Sequence, residues 1–245
     1  MTIRGWKTQF NEIRKEFGYL EKDDLVSVKK LDSILKGKNS KKQLQKIIRG
    51  KTVFIIGAGP SLTKSLKHIK KSKNVVKIVA DGAVKALIEK NIKPDILVTD
   101  LDGDLDSIEK IGKTKIPIVV HAHGDNYEKL KIVKKLKNVV GSTQTRKFGK
   151  IENFGGFTDG DRCVFLAEYF DARKIVLIGM DFGQKIGKYS KQRIADRKTK
   201  IKKLKFGKRI VEWLGTKSKA DLFSTNRIKG YKIIRMIDLE CIENF

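Results

Sequence analysis

Only two cysteines, Cys163 and Cys241, occur in 245 residues, and they share neither a CxxC spacing nor a paired histidine cluster. That excludes a disulfide framework and a structural zinc site, and leaves packing as their role. No apolar run approaches the roughly 18 residues of a spanning helix, and MTIRGWKTQF carries no apolar signal region, so a cytoplasmic protein without a membrane partner is expected. Acids are scarce as well: 28 Asp+Glu against 55 Lys+Arg leave a formal net charge of +27. Such a field draws in nucleotide phosphates, nucleic acid or any other polyanion. Much of the excess is concentrated, with twelve basic residues and one acid, Asp196, between Lys185 and Arg209. That run lacks the interleaved aromatics of a stacking platform, and no zinc-finger, RRM or KH signature appears, so nucleic acid is not the expected partner.

What is present divides the chain into three. Residues 1–50 read as a helical segment, with Trp6, Phe10, Ile13 and Phe17 at helical spacing and Leu25, Val28, Leu31 and Leu35 following the capping candidates Asp23 and Asp24. From Lys51 short β-branched runs at 52–56, 75–80, 95–99, 117–122, 138–143 and 174–180 alternate with helix candidates at 61–72, 83–90, 107–112, 126–137 and 160–171. Alternation at these lengths predicts βαβ units, and continuous apolar strands predict burial on both faces. The fold class expected is α/β, a doubly wound, mostly parallel sheet, with residues 51–180 as its Rossmann-like core. Residues 181–245 are expected to pack on that core as a basic extension, with a helix near 205–214 and a strand near 231–235.

In such sheets ligands bind at the carboxyl ends of the strands, so the residues after each strand carry the chemistry. GAGPSL follows the first strand, and its turn brings backbone N–H groups to a helix start where phosphate can sit. Leu62 replaces the third glycine of a dinucleotide fingerprint, and Thr63 stands where a Walker A loop requires glycine. Asp81 ends the second strand. The third is followed by TDLDGDLD, in which Asp100, Asp102, Asp104 and Asp106 recur at every second position.

Four carboxylates this close repel one another, at about 1 kcal/mol or more per pair near 5 Å. An EF-hand is excluded by register: with Asp100, Asp102 and Asp104 as its first ligands, the required glycine is Leu105 and the bidentate glutamate is Ile111. Asp106 with Glu109 fits a capping box. The others suit Mg²⁺, which takes one or two carboxylates and completes its shell with water and substrate phosphate. HAHGDN follows the fourth strand, where His121, His123 and Asp125 suit metal, phosphate or proton transfer. Ser142, Thr143 and Gln144 after the fifth suit hydrogen bonding to a heterocycle. FGGFTDGDRC places Thr158, Asp159, Asp161 and Arg162 at a helix start, a second metal or phosphate contact. His68, on a lysine-rich helix, reads as surface.

ADGAVKALIEKNIKPDILVTDLDGD resembles the thiamine pyrophosphokinase pattern, in which a DG strand end precedes Pro-Asp, a hydrophobic strand and a GDFDS loop. The set as a whole, namely the W-x3-F-x2-I-x3-F helix, GAGPSL, ADGA, TDLDGD, HAHGDN, FGGFTDGDR and GMDFG, resembles the archaeal MptE-like 6-hydroxymethylpterin diphosphokinases. The resemblance implies Mg-ATP as donor, 6-hydroxymethyl-7,8-dihydropterin as acceptor and AMP as by-product. On that reading Asp81, Asp100, Asp102, Asp104 and Asp159 serve the metal, and Asp102, His123 and Asp125 serve catalysis. Gly57, Gly59, Pro60, Ser61, Ser142, Thr143, Gln144, Thr158 and Arg162 contact the nucleotide. The rivals are a dinucleotide-binding oxidoreductase using GAGPSL, an RNA-binding protein driven by net charge, and a diphosphokinase for another alcohol such as thiamine. The sequence leaves the oligomeric state open, a homo-oligomer included.

Overall fold

The structure, a computed structural model, describes residues 3–35, 41–190 and 197–245; residues 191–196 of the basic segment lie outside that description. Its centre is an eight-stranded sheet in the order β5-β4-β3-β2-β1-β6-β7-β8. The strands are β1 Thr52–Ile56, β2 Val76–Ala80, β3 Ile96–Thr99, β4 Ile118–Ala122, β5 Val139–Thr143, β6 Lys174–Ile178, β7 Asp221–Ser224 and β8 Arg235–Met236. Every neighbouring pair is parallel. The strand order reverses between β1 and β6, the switch point at which open α/β sheets form a crevice.

Strand side chains alternate between faces, so β1 feeds two cores at once. Val53 and Ile55 join the cluster holding Val164 and Leu166 of α7 (Asp159–Tyr169) and Ile210 and Leu214 of α8 (Arg197–Gly215). Phe54 and Ile56 join the one formed with Leu66 of α4 (Leu62–Lys71), Leu87 of α5 (Val84–Glu89) and Ile108 of α6 (Leu105–Gly112). Each fully buried Leu, Ile or Phe contributes about 1.5–3 kcal/mol, and dozens of them leave both faces dry.

The N-terminal helices divide between these faces. α1 (Trp6–Phe17) and α3 (Lys41–Ile48) add Trp6, Phe10, Ile13, Leu44 and Ile48 to the first core. The Trp6 ring lies 4.7 Å from Phe165. α2 (Glu21–Leu35) adds Val28, Leu31 and Leu35 to the second. The amphipathic spacing seen in the sequence is thus core-facing, and α1, α2 and α3 pack on the sheet.

Two elements differ from expectation. The stretch expected as one helix over 126–137 forms 3-10 turns at Gly124–Asn126 and Glu128–Lys135. β7 carries little apolar pattern of its own, yet extends the sheet beside β6. His68 is 4% exposed rather than on the surface, because Cys241–Asn244 docks there and Glu243 Oε1 lies 2.7 Å from its Nδ1. Cys163 is buried and Cys241 exposed; both are free thiols.

Candidate active site

A cavity of about 420 Å³ opens over the carboxyl ends of the central strands, lined by Gly57 to Pro60 after β1, Asp100 after β3, His123 after β4 and Gly179 to Gly183 after β6. The start of α7 and Thr199, Lys200, Lys203 and Leu204 of α8 add to its wall.

The aspartate loop is shaped by one buried carboxylate. Asp81 Oδ2 accepts the Thr99 hydroxyl at 2.7 Å and the Gly103 N–H at 3.0 Å, and Thr99 Oγ1 accepts the Leu101 N–H at 2.8 Å. Leu101 takes a left-handed conformation, φ 65°, with its side chain fully buried. A branched apolar residue at positive φ is strained by about 1–3 kcal/mol and persists where the surroundings fix it. Here it reverses the chain between Asp100 and Asp102.

As a result Asp81, Asp100, Asp102 and Asp159 each place a carboxylate oxygen within 4.8 Å of the others. Asp100 and Asp159 line the cavity. Two nitrogen-bearing side chains answer them. Arg162 Nη1 lies 3.0 Å from Asp159 Oδ1 and 3.9 Å from Asp100 Oδ2, and His123 Nε2 lies 3.5 Å from Asp100 Oδ2. Burial, reinforced by the charges of Asp100 and Asp81 and opposed by Arg162, raises the Asp159 carboxyl well above the usual range. An all-oxygen, multiply anionic donor set of this kind fits a hard divalent cation such as Mg²⁺.

Asp104 is not a member of that set. It caps α6, accepting the Ser107 N–H at 3.1 Å and its hydroxyl at 2.5 Å, with Lys85 3.4 Å away. The capping role expected for Asp106 therefore falls two residues earlier, where extended backbone precedes the helix.

Gly57 to Pro60 of the GAGPSL turn line the cavity, but the donors of Gly57, Gly59 and Ser61 are bound inside the chain. Gly57 N–H reaches Ile178 O at 2.9 Å, Gly59 N–H reaches Gly179 O at 2.7 Å, and Ser61 gives both N–H and hydroxyl to Asp181 Oδ2 at 3.1 and 3.0 Å. Asp181 fills the anion position at the start of α4, so Ser61 does not offer the expected phosphate contact. A Cβ on Gly59 would stand 2.0 Å from Asp181 Oδ2, so glycine there serves the approach of the two loops.

On the opposite side, Asn126 Nδ2 donates to His121 O at 2.6 Å and Asp100 O at 2.8 Å, tying HAHGDN to the aspartate loop. His123 Nδ1 accepts the Asp125 N–H at 3.3 Å, so its proton sits on Nε2, toward Asp100. The Asp125 side chain is 72% exposed at the cavity rim. His121 lies beneath, 1% exposed, with Nδ1 3.1 Å from Ser142 Oγ. Burial, with Arg162 and His123 nearby, pushes its pKa well below the usual value. Ser142 and Thr143 are buried in β5, Thr143 Oγ1 accepting the Thr145 N–H, and neither lines the cavity. Gln144 does: its Nε2 donates to Asp24 of α2 at 3.0 Å, leaving Oε1 3.5 Å from Arg162 Nη2. Thr158 caps α7 with Asp161 and also lines the cavity.

Asp24 was legible only as a helix cap. It is 3% exposed and accepts the Gly124 N–H as well as Gln144, so an N-terminal helix braces two loops of the site. Lys185, Lys200 and Lys203 bring part of the basic segment to the cavity. Among the described residues no helix is long and apolar enough to cross a membrane.

The profile of the family described as 6-hydroxymethylpterin diphosphokinase MptE-like matches residues 27–187. A 6-hydroxymethyl-7,8-dihydropterin pyrophosphokinase from Methanocaldococcus jannaschii is 46% identical over 235 residues, covering 89% of this chain and 97% of its own. Proteins of the same description from Pyrococcus furiosus and Methanothermobacter thermautotrophicus are 42% and 36% identical, covering 89% and 87% of this chain and 96% and 95% of theirs. The MAf glycosyltransferase of Magnetospirillum magneticum AMB-1 shares the fold alone, with a TM-score of 0.56 at 13% identity over 89% of this chain and 38% of that one. With the family profile spanning most of the sheet and full-length relatives beyond 40% identity, the chain belongs to the MptE-like 6-hydroxymethylpterin diphosphokinase family.

Proposed function

We propose that the protein transfers diphosphate from ATP to the hydroxymethyl oxygen of 6-hydroxymethyl-7,8-dihydropterin and releases AMP. Family membership makes the chain a diphosphokinase, and the description its relatives carry supports the pterin alcohol as acceptor. The observation that carries the donor side is the meeting of Asp81, Asp100, Asp102 and Asp159 beside a cavity that also holds Arg162 and three lysines.

In the reaction the acceptor oxygen forms a bond to the β-phosphorus, the bond from that phosphorus to the α–β bridging oxygen breaks, and AMP leaves with the electron pair. Asp81, Asp100, Asp102 and Asp159 would hold Mg²⁺, which when bound screens the phosphate charge. The protein's own work is placement and charge balance. Arg162, 3.0 Å from Asp159 and 3.9 Å from Asp100, offsets part of their mutual repulsion and holds both at the cavity. His123, protonated on Nε2, orients Asp100, which leaves Asp102 to accept the hydroxyl proton. Gly57, Gly59 and Pro60 offer a flat wall for adenosine, while Lys185 and Lys200 face its phosphates. Asp125 and Gln144 present oxygen acceptors to the acceptor's edge.

Phosphorus NMR of purified protein with Mg-ATP and the dihydropterin tests this: AMP and a diphosphoryl ester are expected in equal amounts. ADP as the nucleotide product, or diphosphoryl transfer to thiamine in preference to the pterin, overturns it.

A further inference from the structure

The cavity has two unlike ends. At the β1 and β6 side its wall is the glycine-rich Gly57 to Pro60 and Gly179 to Gly183, Met180 and Phe182 among them, with Lys185 nearby. At the side nearer the N-terminal helices it is aromatic. Tyr19, in the turn between α1 and α2, and Phe157, just before α7, both line it, with centroids 6.2 Å apart and planes inclined at 54°. Phe17 stacks on Tyr19 at 5.8 Å, packs on Phe157 at 5.1 Å and is itself backed by Phe206 of α8 at 5.3 Å. Tyr19 is therefore the partly exposed outer ring of a fixed aromatic stack. Lys203, which also lines the cavity, places its Nζ 5.6 Å from the Tyr19 centroid and 5.9 Å from that of Phe157, so its ammonium borders the aromatic wall, of which Tyr19 is the more exposed ring.

We infer that Tyr19 and Phe157 form the binding platform for the flat heterocycle of the acceptor, making the N-terminal segment the acceptor-recognition element. The inference rests on the proposed function and adds to it which end takes which substrate. In-line displacement requires the attacking oxygen and the departing AMP to stand on opposite sides of the β-phosphorus. With the acid cluster between them, the two substrates reach it from opposite ends of one cavity. A bicyclic heterocycle lying on Tyr19 meets Phe157 edge-on, the arrangement that inclined aromatic pairs prefer. Gln144, whose Nε2 is taken by Asp24 and whose Oε1 accepts from Arg162 Nη2 at 3.5 Å, lines the same cavity and keeps a second lone pair on Oε1 for an N–H donor of the heterocycle. Lys203 then stands beside the diphosphate that the product carries.

The test measures two affinities on each protein: 6-hydroxymethylpterin, by its own fluorescence, and a non-hydrolysable Mg-ATP analogue, by calorimetry. Tyr19→Ala is expected to weaken the pterin about tenfold or more, the scale of one lost aromatic stack, and to leave the nucleotide unchanged. Tyr19→Phe is expected to bind both as the wild type does, and nucleotide binding serves as the folding control. Unchanged pterin affinity in Tyr19→Ala overturns the inference, as does a loss confined to the nucleotide, which would reverse the two ends. A wild-type protein that binds the nucleotide but no pterin overturns this inference and the proposed acceptor together, whereas the first two failures leave that acceptor standing.

Discussion

Gly103 and Asp81 are in such close contact that a single added carbon separates a formed site from a broken one: a Cβ on Gly103 would stand 1.9 Å from Asp81 Oδ1. The Asp81 carboxylate cannot retreat, because Thr99 and the Gly103 N–H hold its other oxygen. Gly103→Ala must therefore move either the aspartate loop or Asp81. We expect at least about a hundredfold loss of turnover, the scale associated with a displacement near 1 Å in a reacting site. Circular dichroism should be unchanged. Steady-state AMP release checks the outcome.

Asp104 separates capping from ligation. Replacing it with alanine removes the side-chain acceptor for Ser107 and is expected to cost about 1 kcal/mol of stability in denaturant titration. Its Mg²⁺ affinity should match the wild type, in contrast to Asp100→Asn. A large loss of metal affinity in Asp104→Ala would return this residue to the acid cluster.

Much of the sheet was legible because buried parallel strands are rich in β-branched and apolar residues, and each of β1 to β6 falls on one of the short runs read from the sequence. β7 was not legible, since DLFS takes its place from neighbours rather than from its own pattern. Asp81, Asp100 and Asp102 came from the rule that strand ends hold ligands and Asp159 from its place at a helix start, and the structure brings these four together. Asp104 looked the same in sequence; only the extended backbone at its position, ahead of α6, shows it to be a cap. Asp24 bonds Gly124, Tyr19 meets Phe157 and Asp181 takes Ser61, each at least a hundred residues away, and such pairings leave no local spacing to read.

His121 gives the fold an acid limb. Buried and held neutral, it has a pKa well below its usual 6.5, so the unfolded chain binds a proton that the folded chain refuses. Its contribution is complete above about pH 6.5 and is lost progressively as pH falls below that value, by at most about 1.4 kcal/mol per pH unit. Unfolding titrations at pH 7.5 and 5.5 should show a smaller difference for His121→Leu than for the wild type. An equal difference in both would remove His121 as the source.

Isothermal titration of a non-hydrolysable ATP analogue, with Mg²⁺ and then with EDTA, reaches the central claim most directly when repeated on Asp100→Asn/Asp102→Asn. The acid cluster predicts tight binding only for the wild type with Mg²⁺, and weak binding in EDTA or in the double variant. Equal affinity under all of these conditions would contradict a divalent ion shared between these aspartates and the nucleotide phosphates.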